Sequence, residues 1–207
     1  MQGDLFGEPT RDTAQSQWFT PPWLAKRLAQ WVRPGDRVLE PSCGTGNLIA
    51  ALMEIDLRHV VLAFELDLAM ADHARGRFAG PFSSVHVLHG NFFEAVTLPT
   101  LDVALMNPPF EGNAHMRFVR RALDLAPVVL GIFPASFEYG QERDRELWAT
   151  KAAVTHRARL PERVDYGGDQ SPSFDSVALR IIRREQPRGA GEQRQVLEEV
   201  WRPGDAG

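Results

Sequence analysis

A short apolar run ends in an amide, two prolines and an aromatic ring. Residues 103–106, VALM, are typical of a buried strand, and Asn107, Pro108, Pro109 and Phe110 follow directly. Proline cannot donate a hydrogen bond to a sheet ladder, so the strand must stop here. The sequence therefore places a carboxamide, a carbonyl on a stiffened backbone and a ring at the end of a strand, where ligands of α/β sheets bind.

A glycine loop follows an earlier predicted strand. In the stretch VLEPSCGTGNLIAAL, which starts at Val38, Gly44 and Gly46 separate the strand from a predicted helix. Glycines at such a point let the backbone turn tightly and approach a ligand closely. The loop lacks the third glycine of the dinucleotide fingerprint and the Lys-Ser/Thr of a phosphate loop. On its own, it also fits an ordinary strand-to-helix turn.

Two acidic residues at strand ends narrow the class of ligand. Glu40 ends the first predicted strand beside the glycine loop, and Glu65 ends the next one, 19 residues after Gly46. An acid in the position of Glu65 can accept both hydroxyls of a ribose. A carboxylate in the position of Glu40 suits an ammonium group. The pair favours a positively charged nucleoside over a phosphorylated one, and S-adenosylmethionine fits this description.

Strands alternate with helices of about 10 residues along most of the chain, which indicates a doubly wound, mostly parallel α/β sheet. We expect seven strands over a domain at 17–184, with the last strand antiparallel. The polar residues 1–16 predict a flexible arm, and 185–207, without a core pattern, predict a C-terminal tail. Before the first strand, TPPWLAKRLAQWV predicts a helix with Thr20 as its N-cap.

Length and composition exclude several classes of protein. The 207 residues fit one domain with a substantial core, and no apolar run approaches the roughly 18 residues that span a bilayer. The acidic N-terminus does not fit a signal peptide, so we expect a cytoplasmic location. The single Cys43 excludes an internal disulfide and, with six scattered histidines, predicts no metal cluster. The net charge of −4 does not by itself indicate a nucleic-acid partner.

Five stretches in order, FTPPWLA, VLEPSCGTG, FELD, GNFFE and NPPF, resemble those of amino-group DNA methyltransferases. The chain is most similar to N6-adenine enzymes in which the cofactor motifs precede the catalytic motif, over about residues 17–183. The resemblance implies a class I methyltransferase fold, which is Rossmann-like, with S-adenosylmethionine as cofactor. It also implies methyl transfer to the N6 amino group of adenine in DNA.

The resemblance also implies roles at the cofactor. Phe19 and Thr20 would close over its methionine end, and Leu66 would pack on its adenine. Asn91 stands where the family usually has aspartate; its amide oxygen can still accept from that adenine, but without the help of a negative charge. The residues that the resemblance assigns to the cofactor, the last through its backbone only, are Phe19, Thr20, Glu40, Gly44, Gly46, Glu65, Leu66, Asn91 and Phe92.

The same resemblance gives the first motif a chemical role. An adenine amino nitrogen is a poor nucleophile because its lone pair is delocalised into the ring. The Asn107 side-chain oxygen and the Pro108 carbonyl would accept its two hydrogens, which favours a pyramidal nitrogen and directs the lone pair at the methyl group. Phe110 would stack on the base after it leaves the duplex. In the loop between the last two strands, Phe174 or Tyr166 would supply either a second stacking ring, as in related enzymes, or an aromatic that closes the loop onto the core. No metal is required.

The arm carries QGDLF, which resembles the sliding-clamp-binding peptide of bacterial replication and repair proteins, with Gln2, Leu5 and Phe6 as anchors. Only the loop at 161–175 and the tail remain for reading a target sequence. We therefore expect modest sequence selectivity unless a specificity partner is present.

Three alternatives stay open. Asn-Pro-Pro-aromatic motifs also occur in enzymes that methylate ribosomal RNA bases and in enzymes that methylate the amide of protein glutamine. The FTPPWLA stretch favours the DNA adenine class over both. A cofactor-binding accessory protein without turnover is the third alternative; Asn91 is its only support, and the intact NPPF speaks against it.

Overall fold

The computed structural model describes residues 19–81, 83–166, 175–186 and 195–204. Eight strands among these residues form one sheet. The strands are β1 Arg37–Glu40, β2 Val60–Glu65, β3 Val85–His89, β4 Val103–Met106, β5 Val128–Pro134, β6 Ala152–Arg159, β7 Ser176–Arg183 and β8 Leu197–Val200.

The spatial order of the strands is β3-β2-β1-β4-β5-β7-β6-β8. β1 to β5 run parallel, whereas β7 is antiparallel to both of its neighbours, β5 and β6. This arrangement confirms the predicted α/β class, the doubly wound sheet and the antiparallel strand near the end of the chain. The predicted number of seven strands is wrong, because β8 adds an eighth alongside β6.

Helices cover both faces of the sheet. They are α1 Pro22–Ala29, α2 Asn47–Ile55, α3 Leu68–Arg77, α4 Ala114–Leu125 and α5 Gln141–Arg143, the last continuing as a π-helical turn over Asp144–Trp148. Side chains alternate along each strand, so Val103 and Leu105 of β4 pack with α1, α2 and α3, and Ala104 and Met106 pack with α4. β4 is buried on both faces, as expected of a central parallel strand.

An ion pair joins the starting points of two central strands. The Asp102 carboxylate, just before β4, accepts from the backbone N–H of Arg37 at 2.8 Å and from its guanidinium Nε at 2.9 Å and Nη2 at 3.0 Å. These hydrogen bonds from Arg37 lower the pKa of Asp102 to about 2. The paired geometry fixes β4 beside β1 and thereby sets where β4 ends.

The first helix begins one residue later than the sequence predicts. Pro21 is the N-cap of α1 and Pro22 its first residue, and no side chain caps the helix. Proline has no backbone N–H to satisfy and its fixed φ suits a first turn, so the helix can start without a side-chain cap. Thr20 is therefore not the N-cap, and its hydroxyl has a different partner, described below.

The predicted tail contributes to the core. β8 pairs with β6, and Trp201, directly after it, is only 1% exposed. The indole of Trp201 lies 4.7 Å from that of Trp31, centre to centre, and both indole N–H groups donate to the carboxylate of Glu199, at 2.8 and 3.3 Å. The prediction of a tail without a core pattern is wrong for this segment, because one buried tryptophan and a four-residue strand suffice to complete the sheet.

Several predictions fall on residues outside the described ranges. They are the arm over 1–16 with its anchors Gln2, Leu5 and Phe6, and the stacking candidate Phe174. Within the described ranges, no helix is long and apolar enough to cross a membrane.

Replacing Trp201 with alanine should destabilise the whole domain. We expect Trp201→Ala to lower the free energy of unfolding by about 3–5 kcal/mol, since it empties a buried site filled by a large ring. Denaturant unfolding followed by circular dichroism measures this. Leu197→Ala, on the same strand but 54% exposed, is the control and should change it by less than about 0.5 kcal/mol. Equal stability of the Trp201→Ala variant and the wild type would show that this segment does not belong to the cooperative core.

Candidate functional site

The carboxyl ends of β1 and β4 meet at one edge of the sheet, beneath the segment that precedes α1. A pocket opens there, next to the glycine loop between β1 and α2. The residues that line it are Phe19, Thr20, Glu40, Ser42, Cys43, Gly44, Thr45, Asn47, Leu48 and Asn107. Five of the predicted site residues are therefore brought together around one pocket: Phe19, Thr20, Glu40, Gly44 and Asn107.

Glu40 contributes a buried carboxyl group to this pocket. Its side chain is 2% exposed, and Oε2 has no hydrogen-bond partner among the described residues. Burial raises the pKa of Glu40 well above its usual range, and the nearby Glu65 carboxylate raises it further. An acceptor left unpaired in such a place favours a ligand that brings a donor, above all a cationic one.

Glu65 holds the glycine loop at the end of β2. Its Oε2 accepts from the backbone N–H of Gly44 at 2.7 Å, and its Oε1 accepts from the backbone N–H of Asp67 at 2.9 Å. Each oxygen of a carboxylate can accept a second hydrogen bond, so these contacts leave room for the predicted ribose hydroxyls. The side chain thus shapes the loop as well as facing the place where we expect the ribose.

Gly46 has a structural reason to be glycine. It is the N-cap of α2 with φ +84°, in the left-handed region that residues with a side chain rarely adopt. A Cβ atom at this position would lie 2.6 Å from the ring of Phe78. Gly46 does not line the pocket; it lets the loop turn into α2 so that Gly44 and Thr45 do.

Asn107 points its two amide ends in different directions. Its Nδ2 donates to the hydroxyl of Thr20 at 3.0 Å. Its Oδ1 is buried and has no hydrogen-bond partner among the described residues. A buried acceptor without a partner costs stability, so such an atom at a pocket marks a binding function. Asn107 therefore presents an oxygen acceptor to the same pocket as Glu40.

The rest of the NPPF motif lies beside Asn107. Pro108 is buried and Phe110 is half-buried. The ring of Phe110 meets the buried ring of His115 edge to face, with 6.1 Å between the ring centres. His115 also packs against Phe137, at 5.3 Å. Burial, followed by the positive charge of Arg143, lowers the pKa of His115, so the ring behind Phe110 favours its neutral form.

Five of the residues predicted for the cofactor lie outside the lining of the pocket: Gly46 and Glu65, described above, and Leu66, Asn91 and Phe92. Leu66 follows β2 and is 54% exposed, open to a flat ligand ring. Asn91 uses its Oδ1 to cap a 3-10 turn at Phe93 N–H, at 3.0 Å, and its Nδ2 donates to Glu94 at 2.9 Å. Phe92 packs in the core against Phe118. The predicted contacts of Asn91 and Phe92 with the cofactor remain predictions.

Asn47 lines the pocket, although it is not among the site residues predicted from the sequence. It is the first residue of α2, and its Nδ2 donates to the backbone carbonyl of Thr20 at 3.0 Å. The sequence does carry one signal for Asn47, which is an amide side chain directly after the glycine loop. Among the described residues, no group of three His, Cys, Asp or Glu side chains could hold a metal ion.

Comparison with known proteins identifies the family. Residues 23–130 match the family described as Methyltransferase small domain. The chain belongs to this family. It is also 33% identical over 173 residues to an rRNA adenine N-6-methyltransferase of Streptomyces fradiae, a match over 79% of this chain and 53% of the relative. The chain thus spans about half the length of that relative.

Two solved structures show the same fold. The chain superposes on 23S rRNA methyltransferase ErmE with a TM-score of 0.63 at 20% identity, over 84% of this chain and 73% of that one. It superposes on the M protein of the type I restriction enzyme EcoKI with a TM-score of 0.63 at 18% identity, over 83% and 45%. These likenesses confirm the class I methyltransferase fold.

The family and the fold confirm S-adenosylmethionine as the cofactor, and the pocket fits it. Glu40 offers a buried, unpaired carboxyl oxygen to an ammonium group, and Glu65 adds a second acid at the next strand end. Gly44 brings backbone close to the ligand without a side chain. These two acidic side chains would not suit a phosphate-bearing cofactor, because carboxylates repel phosphate.

Replacing Glu40 with glutamine should weaken cofactor binding. Glu40→Gln removes the negative charge that faces the ammonium group, and we expect roughly 10- to 100-fold weaker binding of S-adenosylmethionine, from about 1.5–3 kcal/mol for a hydrogen bond to a charged group. Isothermal titration calorimetry measures this. Glu54→Gln, at an exposed carboxylate that pairs with Lys26 at 2.8 Å, is the control.

The pH dependence supplies a second readout. Since the pKa of Glu40 is raised in the free protein, binding a cation must release its proton at any pH below that pKa, and affinity should rise as pH rises toward it. The Glu40→Gln variant should lose this part of the pH dependence, whereas Glu54→Gln should keep it. Unchanged affinity and pH dependence in folded Glu40→Gln would refute the assignment.

Proposed function

We propose that this chain is an S-adenosylmethionine-dependent methyltransferase that acts on the N6 amino group of adenine in nucleic acid. The proposal depends on one observation above all. The Oδ1 atom of Asn107 is a buried acceptor without a partner among the described residues, and Asn107 lines the same pocket as Glu40. An amino group brings the donor that such an oxygen requires.

The residues of the motif would act by orienting the amino group. When bound, S-adenosylmethionine supplies an electrophilic methyl group on a sulfonium. The Oδ1 of Asn107 would accept one amino hydrogen and the Pro108 carbonyl the other, so that the nitrogen becomes pyramidal and its lone pair is exposed. Pro108 is buried and Pro109 restricts the backbone before it, which keeps the carbonyl in place.

Phe110 would hold the base from one face. Its ring is half-buried, follows Asn107 in the same motif and contacts His115 edge to face. Stacking of a nucleobase on an aromatic ring contributes about 1–3 kcal/mol and does not depend on a particular sequence. Because the amino group must reach a pocket at the sheet edge, the adenine has to leave its stack.

We infer DNA as the acceptor, in keeping with the order of motifs and the FTPPWLA stretch. The second candidate is adenine in ribosomal RNA, and the relative of Streptomyces fradiae favours it, since that protein is named an rRNA adenine N-6-methyltransferase. The sliding clamp, a specificity partner and a cytoplasmic location remain predictions from the sequence.

Truncating Asn107 should separate catalysis from cofactor binding. We expect Asn107→Ala to lower the single-turnover rate of methyl transfer roughly 100- to 1,000-fold, the usual loss for one preorganised hydrogen bond in a transition state. Cofactor affinity should change far less, because Glu40, Glu65 and the glycine loop are intact. Gln30→Ala, at an exposed residue after α1, is the control. A rate within threefold of wild type in folded Asn107→Ala would overturn the proposed role.

A panel of acceptors tests the substrate class. Labelled S-adenosylmethionine is incubated with single-stranded DNA, duplex DNA, an adenine-bearing ribosomal RNA hairpin and a glutamine peptide. We expect label on the DNA. A DNA in which each adenine is replaced by a purine without the amino group should receive no label. Label on the RNA alone would contradict DNA as the acceptor and support the second candidate, adenine in ribosomal RNA. Label on the peptide alone would overturn the adenine assignment, and label on none would favour a protein without turnover.

A further inference from the structure

A chain of hydrogen bonds runs from the end of α3 to Asn107. The Nη1 of Arg77 donates to the Oδ1 of Asn47 at 2.9 Å. The Nδ2 of Asn47 donates to the backbone carbonyl of Thr20 at 3.0 Å, and the hydroxyl of Thr20 accepts from the Nδ2 of Asn107 at 3.0 Å. Arg77 does not line the pocket, so it acts on the site only through residues that do, which are Asn47 and, by a second hydrogen bond, Thr45.

We propose that Arg77 and Asn47 are positioning residues that hold the amide of Asn107 in its working orientation through Thr20. The inference rests on the proposed function, because it takes the Oδ1 of Asn107 as the acceptor for the adenine amino group. It adds Arg77 and Asn47 to the residues that serve that function, and both lie outside the motifs and outside the strand ends.

Arg77 decides which way the Asn47 amide faces. The two ends of an amide have nearly the same shape but opposite hydrogen-bonding roles. A guanidinium can only donate, so it selects the Oδ1 of Asn47 and leaves Nδ2 for the Thr20 carbonyl. A reversed amide would set its oxygen against that carbonyl, which also only accepts. Arg77 donates to the Thr45 carbonyl as well, at 3.2 Å, and so ties this arrangement to the glycine loop.

Thr20 is held at three points. The backbone N–H of Phe19, its neighbour, donates to the Tyr166 carbonyl at 2.8 Å, in the segment before β7. The Thr20 carbonyl is held by Asn47, and its hydroxyl contacts Asn107. Because the Thr20 side chain is 5% exposed, the hydroxyl cannot exchange its partner for water at little cost. Loosening Asn47 therefore frees the one group that fixes the Nδ2 of Asn107.

The position of Arg77 distinguishes positioning from a general structural role. Arg77 is exposed at the last residue of α3, and hydrogen bonds at exposed sites contribute little to stability. Its guanidinium also lies 5.6 Å from the ring centre of Phe78. A methionine of similar length can still pack against that ring, and it removes the hydrogen-bond donors together with the positive charge.

The test compares Arg77→Met with Arg75→Met, a matched control on the same helix. Arg75 donates to Asp72 at 2.7 Å and to the Val87 carbonyl at 3.0 Å, and neither of these partners lines the pocket. Asn47→Ala removes the next link, and Arg77→Lys restores a donor. For each variant we would measure the thermal midpoint, the affinity for S-adenosylmethionine, the single-turnover rate on an adenine oligonucleotide and the side-chain ¹H–¹⁵N signals of Asn107, assigned by their loss in Asn107→Ala.

We expect Arg77→Met to shift or broaden the Asn107 side-chain signals and to lower the transfer rate roughly tenfold, below the ~100-fold that a 1 Å misplacement can cost. Its cofactor affinity should stay within about threefold, since no cofactor contact is removed. Asn47→Ala should have the larger effect, Arg77→Lys should recover part of the rate, and Arg75→Met should match wild type.

The signals of Asn107 separate failure of this inference from failure of the proposed function. Unchanged signals in both Arg77→Met and Asn47→Ala would overturn the inference, whatever the transfer rate. Altered signals in a protein that methylates no adenine acceptor would support the hydrogen-bond chain and overturn the function. If Asn47→Ala does not fold, Arg77→Met decides alone, because its position is exposed.

Discussion

The parallel pairing of β1 with both β2 and β4 is the constraint on which the site depends. Leu39 pairs with Leu62 on one side and with Ala104 on the other, and Glu40 pairs with Ala63. Because the three strands run in the same direction, their carboxyl ends lie at one edge of the sheet. The carboxyl group of Glu40 at the end of β1 and the amide of Asn107 just after β4 are thereby brought to one pocket, although Asn107 lies 67 positions after Glu40 in the chain.

The pocket gives up stability for binding. Glu40 is a buried carboxyl whose Oε2 has no partner among the described residues, and its pKa is raised by burial and by Glu65. An acid with a raised pKa in the folded state makes the ligand-free protein less stable as pH rises from the ordinary pKa of the acid through the raised one. A bound cation lowers the pKa of Glu40 again, so part of the stability that the ligand-free protein lacks is gained on binding.

The segment before α1 contacts residues on two sides of the pocket. Thr20 contacts Asn107 through its hydroxyl and Asn47 through its carbonyl. Thr20, which the family resemblance predicts to lie over the cofactor, therefore also contacts Asn107, the residue proposed to bind the acceptor. Both contacts come from one short stretch of chain, and that stretch is held at Phe19 by the segment before β7.

The sequence by itself determined the α/β class, the ligand edge and the local pieces of the site. Gly46 needs a positive φ, prolines end β4 and begin α1, and acids are the last residues of β1 and β2, all of which depend on neighbouring residues. The tertiary structure decided what those pieces contact. The partner of Thr20 lies 87 residues away, and Trp201 fills a site beside Trp31. Such contacts depend on how distant segments pack, and no local pattern in the chain records them.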